Sequence, residues 1–385
     1  MPRALNPELT ELPLERLRLR RSVKWARYPA DVLPAFVAEM DFPLAEPVRV
    51  ALAEAVELDD AGYAWPQALG LAEAFAEFAE RRLGWSVDPA RVSPASDVVG
   101  AITSVLAELT EPGHGVVINS PVYHPFFGVV EELGRELVEA PLVDGELDAE
   151  AVEACFAAGA RALILCSPHN PVGTTPSREQ LVALAAAAAR HGAWVLADEI
   201  HAPLTLPGAE HVPYLAASEE AAAHGIAFSS ASKTFNLAGL HCAQIVTASD
   251  QAAAVIGRLP FLATHCAHFG AIGAVAAFRH GDAWLDDVLA VLDHNRGLLA
   301  DLLAEHLPEV GYTPPRAGYL AWLDLRQLGL GDDPAATLLE RGKVALSPGP
   351  DFGRQGAGFA RLNFGTSPAL LEEAVERIAK GAGRA

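Results

Sequence analysis

Three side chains of complementary chemistry, Asn170, Asp198 and Lys233, stand 28 and then 35 residues apart in the chain. Brought together, they would offer an amine able to attack a carbonyl or take a proton, a carboxylate to steady a positive charge, and an amide to hydrogen-bond a ligand. Lys233 stands out by composition. Only Lys24, Lys233, Lys343 and Lys380 are lysines among 28 basic side chains. Lys233 lies in IAFSSASKTFNLAGL, a run of small and apolar residues, in a chain that otherwise uses arginine. Taken singly, Asn170 or Asp198 could be no more than a helix cap or turn residue.

The elements around them argue for convergence. Short apolar runs at 116–118, 162–166, 194–197 and 226–228 alternate with helical patterns, as in a parallel α/β sheet. Residues 177–191 predict a helix with Ser177 as N-cap and Gln180 in the capping-box position. Asn170, Asp198 and Lys233 each follow the C-terminal end of a predicted strand, where open α/β sheets form their ligand crevice. Further on, 244–247 reads as a strand, 252–277 as mostly helical and 284–307 as a long helix. Two later strands are expected at 319–325 and 359–364.

The length of 385 residues suggests two or three domains, and 51% hydrophobic residues supply an ample core. The net charge of −21 argues against a nucleic-acid or anionic-membrane partner. The first 21 residues carry no apolar signal core. The apolar stretches at 181–189 and 266–278 are shorter than the ~20 residues of a membrane span. Cys155, Cys166, Cys242 and Cys266 form no C-x-x-C pair and read as small hydrophobes of a reducing cytoplasm. His265 and His268 stand three apart, but no third ligand at useful spacing accompanies them, so no metal is expected.

Three motifs in order, S-P-H-N-P-V-G (167–173), A-D-E-I-H (197–201) and S-S-A-S-K (229–233), give the chain a family likeness. It resembles the fold-type I pyridoxal-phosphate enzymes of the class I/II aminotransferase superfamily, over about residues 36–366. Within that superfamily it is most similar to the cystathionine β-lyase branch, the C–S lyase and maltose-regulon modulator group. That likeness rests on A-E-M-D-F (38–42), S-P-V-Y-H-P-F (120–126), S-K-T-F-N-L-A-G-L (232–240) and Y-L-A-W-L-D (319–324). The resemblance implies an α/β fold with a mostly parallel, seven-stranded-type sheet in a large cofactor domain, 43–283. A smaller α+β domain, 284–385, would be joined by an N-terminal segment, 1–42.

The resemblance also implies roles. Lys233 would carry pyridoxal 5'-phosphate as a Schiff base and, when released, remove the substrate's Cα proton. Asp198 would pair with the pyridine nitrogen, Asn170 and His201 with the phenolic oxygen, and Tyr123 would stack on the ring. Ser230 and the amides after Asp97, at Val98 and Val99, would hold the phosphate, the latter as a helix N-terminus. Tyr63 would reach across from a partner subunit, implying a homodimer. Arg361 would grip the substrate carboxylate, with Asn170 and Tyr123 beside it. Where much of the superfamily has a phosphate-binding arginine, this chain has His241. Asp97, a charge beside a phosphate, is expected to turn away and face the helix dipole.

The activity implied is carbon–sulfur β-elimination of L-cystathionine or related cysteine S-conjugates, giving a thiol, pyruvate and ammonia. The alternative on the same machinery is an aminotransferase. A remote alternative is a serine hydrolase built on Ser230 and Lys233, which satisfy Ser-x-x-Lys but lack its companion motifs.

Overall fold

The computed structural model describes residues 5–384; residues 1–4 and 385 of the expected terminal segments lie outside the described residues. In chain order the first strands are β1 (Leu33–Pro34), β2 (Val92–Ala95), β3 (Gly115–Ile118) and β4 (Glu136–Glu139). Then come β5 (Ala162–Cys166), β6 (Trp194–Asp198), β7 (Gly225–Ser229) and β8 (Ala243–Thr247). The C-terminal part adds β9 (Gly311–Tyr312), β10 (Leu320–Asp324), β11 (Val344–Ala345), β12 (Ser347–Pro348) and β13 (Phe359–Asn363).

Strands β2 to β8 form a seven-stranded sheet in the order β2-β8-β7-β6-β5-β3-β4. Every pairing is parallel except those of β8 with β7 and with β2. The apolar runs of β5, β6 and β7 are continuous because both faces of the sheet are covered. Leu163, Leu165, Val195, Ala197 and Ala227 enter one core. Their neighbours Ile164, Cys166, Leu196, Ile226 and Phe228 enter the other. A one-residue slip of any strand would exchange these sets and misfit both cores. The first core receives Leu181, Leu184 and Ala188 of the helix Arg178–His191, which carries the expected Ser177–Gln180 capping box. The second receives Ile102 and Val105 of the helix Val98–Leu109.

The C-terminal part builds the antiparallel sheet β12-β13-β10-β9. The helices Pro334–Gly342 and Pro368–Gly381 supply Leu338, Leu371 and Val375 to the first core, beside Leu323 of β10 and Leu362 of β13. The N-terminal segment pairs with this region through β1 and β11, in parallel. Lys24 of that segment is 1% exposed and lies 2.9 Å from the Asp41 carboxylate.

Two expectations are corrected. The helix read over 252–277 is two helices, Asp250–Ile256 and His268–His280. Gly257 ends the first, and Pro260, which has no N–H to donate and a fixed φ, sets the irregular link between them. The second correction concerns membrane length. Among the described residues, Phe261–His280 is long and apolar enough to span a bilayer by length and composition. Its helical part buries Ala271, Ala274, Ala277 and Phe278 in the first core, as a core helix does. The helix expected at 284–307 runs Asp282–His306, following His268–His280 across Gly281. A Cβ on Gly281 would stand 2.4 Å from the Phe235 ring, so the close approach requires glycine.

Candidate active site

At the carboxyl ends of β5, β6 and β7 lies a cavity of about 170 Å³. Asn170, Asp198 and Lys233 all line it, as do Tyr123, His201, His241, Asp97, Val98 and Val99. Parallel pairing of three adjacent strands brings together residues distant in sequence.

Asp198 closes β6 and is buried; one carboxylate oxygen accepts from the Ile200 amide at 3.1 Å. Burial pushes its pKa up to about 7, against the opposing pull of that amide and of Lys233. Lys233 lies in the short helix Ala231–Thr234, and its Nζ donates to the Ala38 carbonyl at 3.0 Å. The residue as a whole is half-buried and lines the cavity, but its amine is desolvated. Burial, with Arg361 adding to it, depresses the amine to about 8. Burial also lowers His201 to about 3, with Lys233 and Arg361 contributing, so its imidazole is neutral; its Nδ1 has no partner among the described residues. Tyr123 is pushed up to about 12, first by burial and then by Asp198.

Arg361 projects from β13 and is buried. Its guanidinium donates to Asn170 Oδ1 at 2.9 Å, to the Phe36 carbonyl at 3.0 Å and to Ser347 Oγ at 3.1 Å. It also lies 4.9 Å from the centre of the Phe352 ring, and its Nε has no partner among the described residues. Asn170 therefore offers its carbonyl to Arg361 and keeps its amide nitrogen for the cavity.

At the opposite wall, Asp97 is the N-cap of the helix Val98–Leu109, its Oδ1 accepting from the Gly100 amide at 2.7 Å. The carboxylate is thus engaged by its own helix, while the amides of Val98 and Val99 are first-turn donors with no helical acceptor. His241 is exposed, with a left-handed φ of 53°.

One expected position, Ser230, is not among the residues that line the cavity. Ser230 caps the lysine's helix: its Oγ accepts from the Ser232 amide at 3.0 Å and donates to the Cys242 carbonyl at 2.6 Å. The serine lining the cavity is Ser232, which sequence reasoning missed; its Oγ lies 2.6 Å from Ser230 Oγ, so the two hydroxyls form a hydrogen-bonded pair. With Ser230 directed to Cys242 and Lys233 to Ala38, no Ser–Lys pair forms, which removes the serine-hydrolase alternative. Tyr63 is fully exposed and outside the cavity. Among the described residues no group of three His, Cys, Asp or Glu could hold a metal; His268 lies 3.0 Å from Asp60, and His265 bonds the Phe261 carbonyl.

The donor set fits pyridoxal phosphate. Asp198 is a buried carboxylate with an elevated proton affinity, as expected of a site awaiting a cationic partner. Lys233 is a desolvated amine, and the Val98 and Val99 amides suit a phosphate.

Comparisons with known proteins agree. The chain is 38% identical to a cystathionine β-lyase of Corynebacterium glutamicum, over 95% of this chain and 98% of that one. It is 35% identical to the cystathionine β-lyase PatB of Bacillus subtilis, over 93% and 96%. Its fold matches cystalysin of Treponema denticola, a structure containing a pyridoxal 5'-phosphate cofactor, with a TM-score of 0.89 at 26% identity, covering 98% and 99% of the two chains. The family model for aminotransferase class I and II matches residues 39–378, and the chain belongs to that family of pyridoxal-phosphate enzymes.

Proposed function

We propose that the protein is a carbon–sulfur β-lyase that splits L-cystathionine or a related cysteine S-conjugate into a thiol, pyruvate and ammonia. Its likeness to cystathionine β-lyases along nearly the whole chain carries this reading.

In this reading Lys233 anchors the cofactor, Asp198 pairs with its ring nitrogen, and Asn170 and His201 hold its phenolic oxygen. Tyr123 covers the ring. The Val98 and Val99 amides would hold the phosphate, with the paired hydroxyls of Ser230 and Ser232 beside them and His241 at the rim. The bound cofactor supplies an electron sink for the pair left on Cα.

The chain's own groups do the rest. Arg361, oriented by Asn170 and Ser347, binds the substrate carboxylate and fixes which Cα bond faces the amine. Lys233, its amine depressed to about 8, keeps roughly a tenth of its population neutral at pH 7, far more than an ordinary lysine, and in that form takes the Cα proton. Loss of the Cβ–S bond then releases the thiolate, which takes up a proton.

The reading includes a homodimer completed by Tyr63 of the partner subunit, supported by the exposure of Tyr63, Trp65, Phe261 and Leu262. The His268–Asp60 contact joins the two segments that carry them. It also includes the domain division 1–42, 43–283 and 284–385, supported by the β1–β11 pairing, and a cytoplasmic location, supported by four free cysteines.

The test is incubation of the purified holoenzyme with L-cystathionine and no keto acid. Stoichiometric pyruvate and thiol are expected. Absence of pyruvate, with amino transfer appearing once a keto acid is added, would assign an aminotransferase instead.

A further inference from the structure

Beside Lys233 runs an irregular segment, residues 36–42, that belongs to no helix or strand. Side chains from distant elements hold its carbonyls. Asn363 Nδ2 donates to the carbonyls of both Val37 and Glu39 at 2.7 Å. Asn236 grips Met40 twice, accepting from its amide at 2.9 Å and donating to its carbonyl at 2.8 Å.

Between these clamps, the Ala38 carbonyl is left for two donors, Lys233 Nζ and the Tyr319 hydroxyl, each at 3.0 Å. A carbonyl oxygen has two lone pairs, and these donors fill both. Tyr319 is fully buried, and burial lifts its pKa far above the usual range, so it acts only as a neutral donor. Its ring packs edge-on against His201 at 5.9 Å, which fixes the direction of the hydroxyl.

We propose that Tyr319 is a positioning residue: it fixes the Ala38 carbonyl as the resting place of the free Lys233 amine, and so directs the site to elimination rather than amino transfer. This rests on the lyase reading. When the Cα–H bond breaks, the proton goes to Lys233 and the electron pair stays with the carbon framework. In elimination that pair forms the Cα=Cβ bond, the Cβ–S pair leaves with sulfur, and the thiolate takes a proton. Water then converts the enamine to pyruvate and ammonia. In amino transfer the proton carried by Lys233 goes instead to the cofactor carbon. An ammonium held at the Ala38 oxygen is kept from that second course.

The test is Tyr319→Phe, which keeps the ring and removes the donor. Two quantities are read in wild type and variant. The first is the ratio of pyruvate formed from L-cystathionine to cofactor converted to its amine form in the holoenzyme. It is expected to fall by about tenfold, the worth of one hydrogen bond, with KM nearly unchanged. The second is the pH dependence of acylation of Lys233 in cofactor-free protein, read by peptide mass. Its midpoint is expected to drop by about half a unit or more, because the loosened carbonyl supports the ammonium less well.

An unchanged ratio together with an unchanged midpoint overturns the proposal. If wild type makes no pyruvate, the lyase reading fails on its own, and the acylation midpoint still decides for or against the tether. Should Tyr319→Phe not fold, Asn236→Ser, which unpins the segment at Met40, reads the same two quantities with the same expected directions.

Discussion

Replacing Asp198 with asparagine should move stability in opposite directions with and without cofactor. Without cofactor the folded protein holds the Asp198 proton up to about pH 7, against an ordinary value of 3.8. A carboxyl whose folded pKa is raised costs stability as pH climbs from the unfolded value to the folded one, and the cost is constant above. At pH 8 the difference amounts to about 4 kcal/mol, at 1.36 kcal/mol per unit. Asparagine keeps the oxygen that accepts from Ile200, but it removes the attraction that supports the Lys233 ammonium, so a net gain of about 3 kcal/mol is expected. With an unfolding entropy of roughly 2.1 cal/mol/K per residue, that is a rise of about 4 °C in midpoint for this chain.

The gain should shrink as pH falls from 7 and vanish below about 4. With cofactor the sign reverses, because asparagine leaves the ring's cation unpaired in a buried place, at about 3 kcal/mol or more, or over 100-fold in cofactor affinity. Thermal unfolding of both forms across pH 4 to 8, with cofactor titration by fluorescence, measures both effects. A cofactor-free variant less stable than wild type at pH 8, or a difference independent of pH, would refute the electrostatic account of Asp198.

Other outcomes follow from the same geometry. Arg361→Lys loses the planar fork that bonds Asn170, Phe36 and Ser347 together, and should raise KM for L-cystathionine about 100-fold or more, by roughly 3 kcal/mol, in steady-state kinetics. Lys233→Ala and Tyr63→Ala should each be inactive alone, yet regain up to about a quarter of wild-type activity when refolded together, because a mixed dimer holds one intact site; no recovery in an assembly shown to be dimeric would remove Tyr63 from the site. Gly281→Ala drives a methyl group into the Phe235 ring and should cost about 2 kcal/mol in denaturant unfolding, with cofactor binding unaffected.

Much of this site was legible in the sequence because the relevant residues share one place in a repeating pattern. Asn170 and Lys233 follow the ends of buried strands and Asp198 is the last residue of one, and parallel pairing turns that shared position into proximity. The capping box at Ser177 was equally readable, since it depends on residues three apart. What depends on local rotation was not. Ser230 and Ser232 are two residues apart, and the N-cap geometry of the lysine's helix decides which of the two residues lines the cavity.

What depends on long-range bonds was also hidden. Lys24 has no sequence signal of burial, yet Asp41, 17 positions on, draws it into the interior. The segment beside Lys233 carries no periodicity, and its shape is set by Asn236, Asn363 and Tyr319 from elsewhere in the chain. The helix expected across 252–277 failed because apolar composition outweighed Gly257 and Pro260, which break it.

Reductive trapping tests the central claim most directly. Holoenzyme treated with borohydride, digested and mapped by mass spectrometry should carry the pyridoxyl phosphate on the peptide containing Lys233, with loss of the visible Schiff-base band. A label on Lys24, Lys343 or Lys380, or no label on a protein that releases pyruvate from L-cystathionine, would contradict the assignment of Lys233 as the cofactor's anchor.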